Sequence, residues 1–270
     1  VLAAIAYDRL TPAARAHVDA LLHRHPDLKN LAPRDAFLAA AVWPDVIKSD
    51  TRFYDDTRSS AQPTPLLPGF PSMARHTNWH YIDIPFSPDG TPLEPPKSPN
   101  ALEQLERLLK TLGPKDPDAT YDIPWLIHIE GDVHQPLHCS SRFVKSEPHG
   151  DQGGNLVYVT PGRNLHALWD DIAGTDTSPA YVNNLAAGIA ADFVQHNGAH
   201  PRLSKNPKKW IDEGFELATS EVYTFGPETG SREHPIELPS TYVSNARNVA
   251  RVRLAVAGFR LAAALNRRFK

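Results

Sequence analysis

Cysteine is almost missing from this chain. The single thiol, Cys139, excludes an intrachain disulfide framework, and no CxxC pair exists to hold a metal through thiolates. Cys139 follows His138 directly, but nothing in the sequence fixes a base beside it, so it reads as a small buried residue. Long apolar runs are missing too. The best candidate, Leu254 to Leu265, is too short for a membrane span and is interrupted by Arg260, so it reads as a core helix and no membrane role is expected. Surplus positive charge is also lacking. A formal charge of −3 argues against a protein that grips duplex nucleic acid by bulk charge. The GxSxG, GxxxxGK[ST] and HExxH signatures do not occur.

What remains is ordinary in bulk and unusual in detail. A length of 270 residues with 41% hydrophobic content suits one large domain, residues 1–270, with a substantial core. Thr11-Pro12 opens a helix with a Thr cap and Pro in the first turn, and Val18, Leu21 and Leu22 form its apolar face. A second helix is expected from Arg34 to Trp43, ended by Pro44. The ten prolines between Ala61 and Pro99 make that region irregular, apart from an aromatic island, Asn78 to Ile84, read as extended. Further helices are expected over Ala101–Leu112, Ile123–Gln135, Ser178–His196, Pro207–Tyr223 and Thr241–Arg268, with one short strand at Leu156–Val159. The expected fold class is mainly α, a single helical domain with long loops and at most a short β element.

The densest chemical signal is HIEGDVHQPLH, from His128 to His138. His128 and Asp132 are four residues apart, so a helix projects both from one face, one turn apart. Pro136 breaks that helix and lets His138 fold back, whereas His134 points elsewhere and is not a candidate ligand. His166 and Asp170 repeat the four-residue offset in NLHALWDD. Imidazole and carboxylate are the usual non-thiolate zinc ligands. One such pair alone is commonly a surface hydrogen bond; two pairs, one followed by a proline-broken histidine, raise the metal reading to equal weight. His80 in WHYID and Asp45 in AVWPD would complete such a set, though alone they read as an aromatic-cluster histidine and a turn residue. HGDQGGN, His149 to Asn155, is either a plain loop or a phosphate-approach loop.

Taken together, AVWPD, WHYID, HIEGDVHQPLH, GDQGGN and NLHALWDD resemble, in order, the zinc-dependent single-strand nucleases of moulds, plants and bacteria, and AGFRLAAALN resembles their last helix. The resemblance covers nearly the whole chain. It implies a fold of the phospholipase C / single-strand nuclease type with three zinc ions in one cleft. By motif position, Asp45, His80, His128 and Asp132 would hold one zinc, and His138, His166 and Asp170 a second. Asp132 would also bridge to a third, whose family ligands are an N-terminal Trp and a nearby His. Neither precedes VLAAIAYDRL, so the chain is read as lacking its first residues, and two zinc sites are supported by the residues present.

The family chemistry implied is water attack on phosphorus, leaving 5′-phosphate products from single-stranded DNA and RNA, with 3′-nucleotidase activity as a companion. Asp45 would be a ligand and orient the water. Lys48 stands where the family carries a basic residue, usually Arg, that balances transition-state charge. Tyr81 would stack on a base, Asp83 would bond its edge, and Asn155 would also touch substrate; core packing is the competing reading of Tyr81. Three divalent ions would turn −3 into +3 in one cleft, which suits a polyanion. A zinc phospholipase C or nucleotide phosphatase on the same scaffold, and a metal-binding protein without catalysis, are the alternatives. The family pattern implies a secreted or periplasmic monomer.

Overall fold

Proline and small polar caps set the boundaries of the helices. Pro12, Pro33, Pro179 and Pro207 stand at the first positions of four of them, where a missing N–H costs nothing. The Thr11 hydroxyl accepts from the Ala14 amide at 3.3 Å, and Asn164 accepts from Ala167 at 2.8 Å. The computed structural model describes residues 1–270. Its helices are α1 (Leu2–Tyr7), α2 (Pro12–Arg24), α3 (Pro33–Ala40), α4 (Trp43–Val46), α5 (Ala101–Thr111), α6 (Ala119–Asp132), α7 (Leu165–Asp171), α8 (Pro179–Asn197), α9 (Pro207–Leu217) and α10 (Ser240–Arg268). Four two-residue strands form two parallel pairs: β1 (Pro85–Phe86) with β2 (Ser141–Arg142), and β3 (Val159–Thr160) with β4 (Ile236–Glu237). The mainly α expectation holds.

Helix α6 is the axis of the molecule. Every residue from Ala119 to Glu130 is buried, as expected of a helix apolar on most of its surface and enclosed by others. Pro124 sits inside it, near enough to the N-terminus to cost only one intrahelical bond. α2, α3, α4, α5 and α10 pack around α6, and the main core gathers Phe37, Trp43, Trp125, Leu126, Ile129 and Leu265. A smaller core under α7 joins Val157, Leu165, Trp169 and Val222. No helix is long and apolar enough to cross a membrane.

Several local expectations are corrected by this arrangement. The helix expected to run to Trp43 stops at Ala40, and Pro44 stands in the first turn of the next short helix instead of ending the last. The Asp45 amide bonds the Val42 carbonyl at 3.0 Å, which leaves the Ala41 carbonyl free of the helix ladder. The aromatic island is not extended at its start. Thr77–His80 form a 3₁₀ turn, entered through His76 at φ 46°, and Asp56 holds both the His76 amide at 2.9 Å and its ring at 3.1 Å. The strand is shorter than expected and starts three residues later, at Val159–Thr160. α9 stops at Leu217, and Ala218–Val222 continue as one π turn. α1, unheralded in the sequence, packs along α10, where Gly258 makes room: a Cβ there would lie 2.6 Å from Ile5.

Candidate metal centre

The long helix brings His128 and Asp132 to one end of the core, where two other segments meet them. α4 supplies Asp45 and the 3₁₀ turn supplies His80. The His80 Nδ1 and His128 Nε2 atoms approach to 2.7 Å, and one oxygen of Asp132 lies 3.0 and 2.9 Å from them. Asp45 Oδ1 stands 3.6 and 3.7 Å from the same two nitrogens. Ligand atoms around a four-coordinate zinc with bonds near 2 Å are separated by about 3.3 Å. Four donors at this spacing, two of them lone-pair nitrogens in near contact, fit a divalent cation better than one another.

A second group lies alongside. Pro136 ends the helical run and a 3₁₀ turn, Pro136–Cys139, returns His138 towards Asp132, whose oxygen is 3.9 Å from His138 Nδ1. α7 presents His166 and Asp170 from adjacent turns. Asp170 is 3.8 Å from His138 Nε2 and 3.6 Å from His166 Nε2. His138, His166 and Asp170 thus share one focus, as do Asp45, His80 and His128. Asp132 stands between the two foci. Asp45, His128, Asp132, His138 and Asp170 open into one cleft of about 240 Å³, with Arg253 on its wall.

Backbone carbonyls aim most of the imidazoles. Nδ1 of His128 lies 2.7 Å from the Ala41 carbonyl, Nδ1 of His138 lies 2.8 Å from that of His80, and Nδ1 of His166 lies 2.8 Å from that of Gly153. A carbonyl only accepts, so each Nδ1 carries a proton and Nε2 is the nitrogen left to face the cleft. Gly153 has φ 59°, and a Cβ there would meet the Leu137 carbonyl at 2.4 Å, so only glycine lets this carbonyl reach His166. His80 is the exception, facing the site through Nδ1, with its buried Nε2 unpartnered. Gln135, which sequence reasoning passed over, donates from its side-chain amide to Asp170 at 3.0 Å while its oxygen caps the Leu137 amide at 2.6 Å. Its only signal was the position just before Pro136.

The electrostatics fit a cationic occupant. Burial lowers the His80 imidazole to about 4, despite Asp132 beside it. Burial also opposes charge on His138, but Asp132 and Asp170 outweigh it and raise this imidazole to about 9. Burial would raise Asp132, yet the surrounding histidines hold it well below the ordinary carboxylate range. His134, as expected, stays out of the cleft's donor set: it is buried against the Glu130 carbonyl and the Arg260 guanidinium. Cys139 is buried against the Val133 carbonyl.

The other candidate residues take up separate stations. Lys48 Nζ pairs with Asp45 Oδ1 at 2.8 Å, both half exposed at the cleft edge. Tyr81 is 37% exposed, which removes the core-packing reading, and its hydroxyl donates to Asn78. Tyr81 and Asp83 line a polar cavity of about 520 Å³ with Lys97, Asn100, His149 and Gln152. Burial raises the Asp83 carboxyl to about 6, helped by Asp151 nearby. Asn155 is placed elsewhere: it lines a neighbouring groove with His166, Asp170 and Arg163, and its side-chain amide donates to the Gln152 carbonyl.

This is a helical scaffold carrying two adjoining groups of histidine and aspartate that could each hold a metal ion. Comparison with known proteins gives it a family. The S1/P1 nuclease family model matches residues 1–270, and the chain belongs to that family. It is 31% identical to Endonuclease 5 of Arabidopsis thaliana over 163 residues, 54% of this chain and 50% of the relative. To Nuclease S1 of Aspergillus oryzae it is 25% identical over 171 residues, 57% of this chain and 56% of that protein. Endonuclease 1 of Arabidopsis thaliana aligns further, at 26% identity over 237 residues, 74% of this chain and 73% of the relative. The chain thus spans about half the length of most of the curated relatives it matches.

Proposed function

We propose that this chain is a zinc-dependent endonuclease that hydrolyses phosphodiester bonds in unpaired DNA and RNA strands and leaves 5′-phosphates. The observation that carries this reading is the pair of His/Asp foci sharing Asp132 at the end of α6. Asp45, His80, His128 and Asp132 would hold one zinc, and His138, His166 and Asp170 another. The donor set is imidazole and carboxylate without thiolate, and three of the imidazoles are pre-aimed by carbonyls. Zinc supplies Lewis acidity to a phosphate ester and a more acidic water there. A third zinc, bridged by Asp132 in the family pattern, and 3′-nucleotidase activity belong to the same reading.

The chain's own residues do the rest. Asp45 is the most open of the carboxylates, 54% exposed, and its position at the cleft edge suits it to accept the proton of an attacking water. Lys48 places a cation against Asp45 and faces charge that builds on the phosphoryl oxygens. Tyr81 offers an open ring for a base, and Asp83 a carboxylate for a base-edge N–H. Stacking needs an exposed π-face, which a duplex hides, so unpaired strands are preferred. This polar cavity beside the cleft, lined by charged and amide side chains, favours a nucleotide over a phospholipid. Secretion, or export to the periplasm, is the setting proposed from the family.

The test is zinc content by elemental analysis together with digestion of matched single-stranded and duplex oligonucleotides. Two or more zinc ions per chain with preferential cleavage of the single strand are expected. A folded, zinc-loaded chain that leaves both substrates intact would refute the nuclease reading, and a folded chain that takes up no zinc would refute the metal reading.

A further inference from the structure

Further along α10 from the cleft, towards its C-terminus, basic side chains from three segments converge. The turn between α1 and α2 brings Arg9, the stretch between α8 and α9 brings Arg202 and Lys205, and the last turns of α10 bring Arg260 and Arg267. They line one cavity of about 580 Å³, and no aspartate or glutamate is among its lining residues. In a chain of net charge −3 such a concentration of one sign is not a product of composition.

The cations are also uncommitted. Arg9, Arg202, Lys205 and Arg267 make no ion pair. Asp8, the carboxylate next to Arg9 in the chain, is turned to Arg34 at 3.3 Å. The Arg9 guanidinium lies over the Phe259 ring, 4.0 Å from its centroid. Trp210 bonds the Ser204 carbonyl at 2.8 Å and so anchors the segment that carries Arg202 and Lys205. Behind the cavity, Arg260 and Arg253 share a single carboxylate, Glu213, with contacts of 2.7 and 2.8 Å. A second acid, Glu130, is fully buried near Arg260, Arg267 and Arg253, but burial raises its carboxyl to about 8 and neither of its oxygens is hydrogen-bonded, while the Arg260 Nε–H has no acceptor. Cations that line one cavity without acidic partners gain from a compact anion placed among them.

We propose that this cavity is a binding site for a phosphate dianion, either inorganic phosphate or the terminal phosphate of a nucleotide, separate from the His/Asp cleft. Arg9 and Arg267 supply planar forks and Lys205 a mobile point charge, the complement that phosphate oxygens require. The cations ring a single cavity; they do not form a track. A phosphodiester strand spreads single charges along its length, so a doubly charged terminal phosphate is the better fit. Arg260 ties this wall to the cleft through its bond to His134 at 2.9 Å, but the site does not depend on any hydrolytic activity.

The experiment is calorimetric titration of inorganic phosphate into the zinc-loaded protein and into Arg202→Ala/Lys205→Ala, whose changed residues are exposed and outside the core. The expected result is loss, or at least about tenfold weakening, of one binding event, with hydrolysis of bis-p-nitrophenyl phosphate unchanged. Arg267→Gln serves as a second variant with the same expectation. Competition by 5′-AMP and not by an oligothymidylate lacking terminal phosphate supports the phosphomonoester assignment; equal competition by the oligothymidylate overturns it. Identical isotherms for parent and both variants overturn the site itself. So does a thermal upshift that sodium chloride at equal ionic strength reproduces in full.

Discussion

The two His/Asp groups differ in how they are held. The first takes its donors from α4, the 3₁₀ turn at Thr77–His80 and the central helix α6, and its histidines are 3% and 4% exposed in their side chains. The second takes its donors from the turn after Pro136 and from α7, a short helix over the smaller core, with histidines 14% and 17% exposed. The first is fixed chiefly by the packing of the largest core in the molecule, with one carbonyl bond from His128 to Ala41 added to it. The second relies on individual hydrogen bonds, from Gln135 to Asp170 and from His166 to Gly153. A site set by packing resists local change, whereas a site set by single hydrogen bonds is open to tuning one bond at a time.

Asp132 touches both groups, so its loss should have the largest effect. Asp132→Ala is expected to reduce phosphodiester hydrolysis by on the order of 10³-fold and to lower zinc content in both groups, read by kinetics and elemental analysis. Loss of only one zinc with activity retained would show that the groups are independent. Next in size, His166→Ala should release one zinc equivalent and leave the chain folded, while His128→Ala should release zinc and also lower the melting temperature. Equal melting temperatures for the two variants would erase the contrast between packing and hydrogen bonding. Gln135→Ala should weaken one zinc site by about tenfold and spare the other, measured by competition with a chelator. The smallest effect is in pH. The Asp83 carboxyl, raised to about 6, accepts a base N–H only when ionised, so KM for single strands should rise as pH falls through that value. In Asp83→Asn that dependence should vanish.

The elements that were legible in the sequence are those with strong local causes. Thr11-Pro12 and Ser178-Pro179 open helices where capping chemistry places them, and the four-residue offsets in His128/Asp132 and His166/Asp170 point their side chains together. The convergence of Asp45 and His80 on those pairs was carried by the family resemblance, because it depends on contacts across more than 40 residues. What escaped is what tertiary context decides. The 3₁₀ turn before Tyr81 depends on Asp56 capturing His76 from 20 residues away. The restart of helix at Pro44 depends on Trp43 being packed among Phe53, Phe70 and Trp125. Gln135 escaped because a glutamine before proline has no spacing signature, and the basic cavity because its members lie near residues 9, 202 and 267 and form no motif.

The gap between α3 and α4 carries a consequence for engineering. Helix stops short at Ala40, the Asp45 amide turns to the Val42 carbonyl, and the carbonyl of Ala41 is left for His128. A designer raising helix propensity around residues 40–44, by the usual route of replacing proline with alanine, would fuse the two segments and gain local stability. In a continuous helix the Asp45 amide would take that carbonyl from the His128 ring, and metal affinity would be traded for thermal resistance. Imperfect helix here is the working state, and the most stable version of this stretch would be the least useful one.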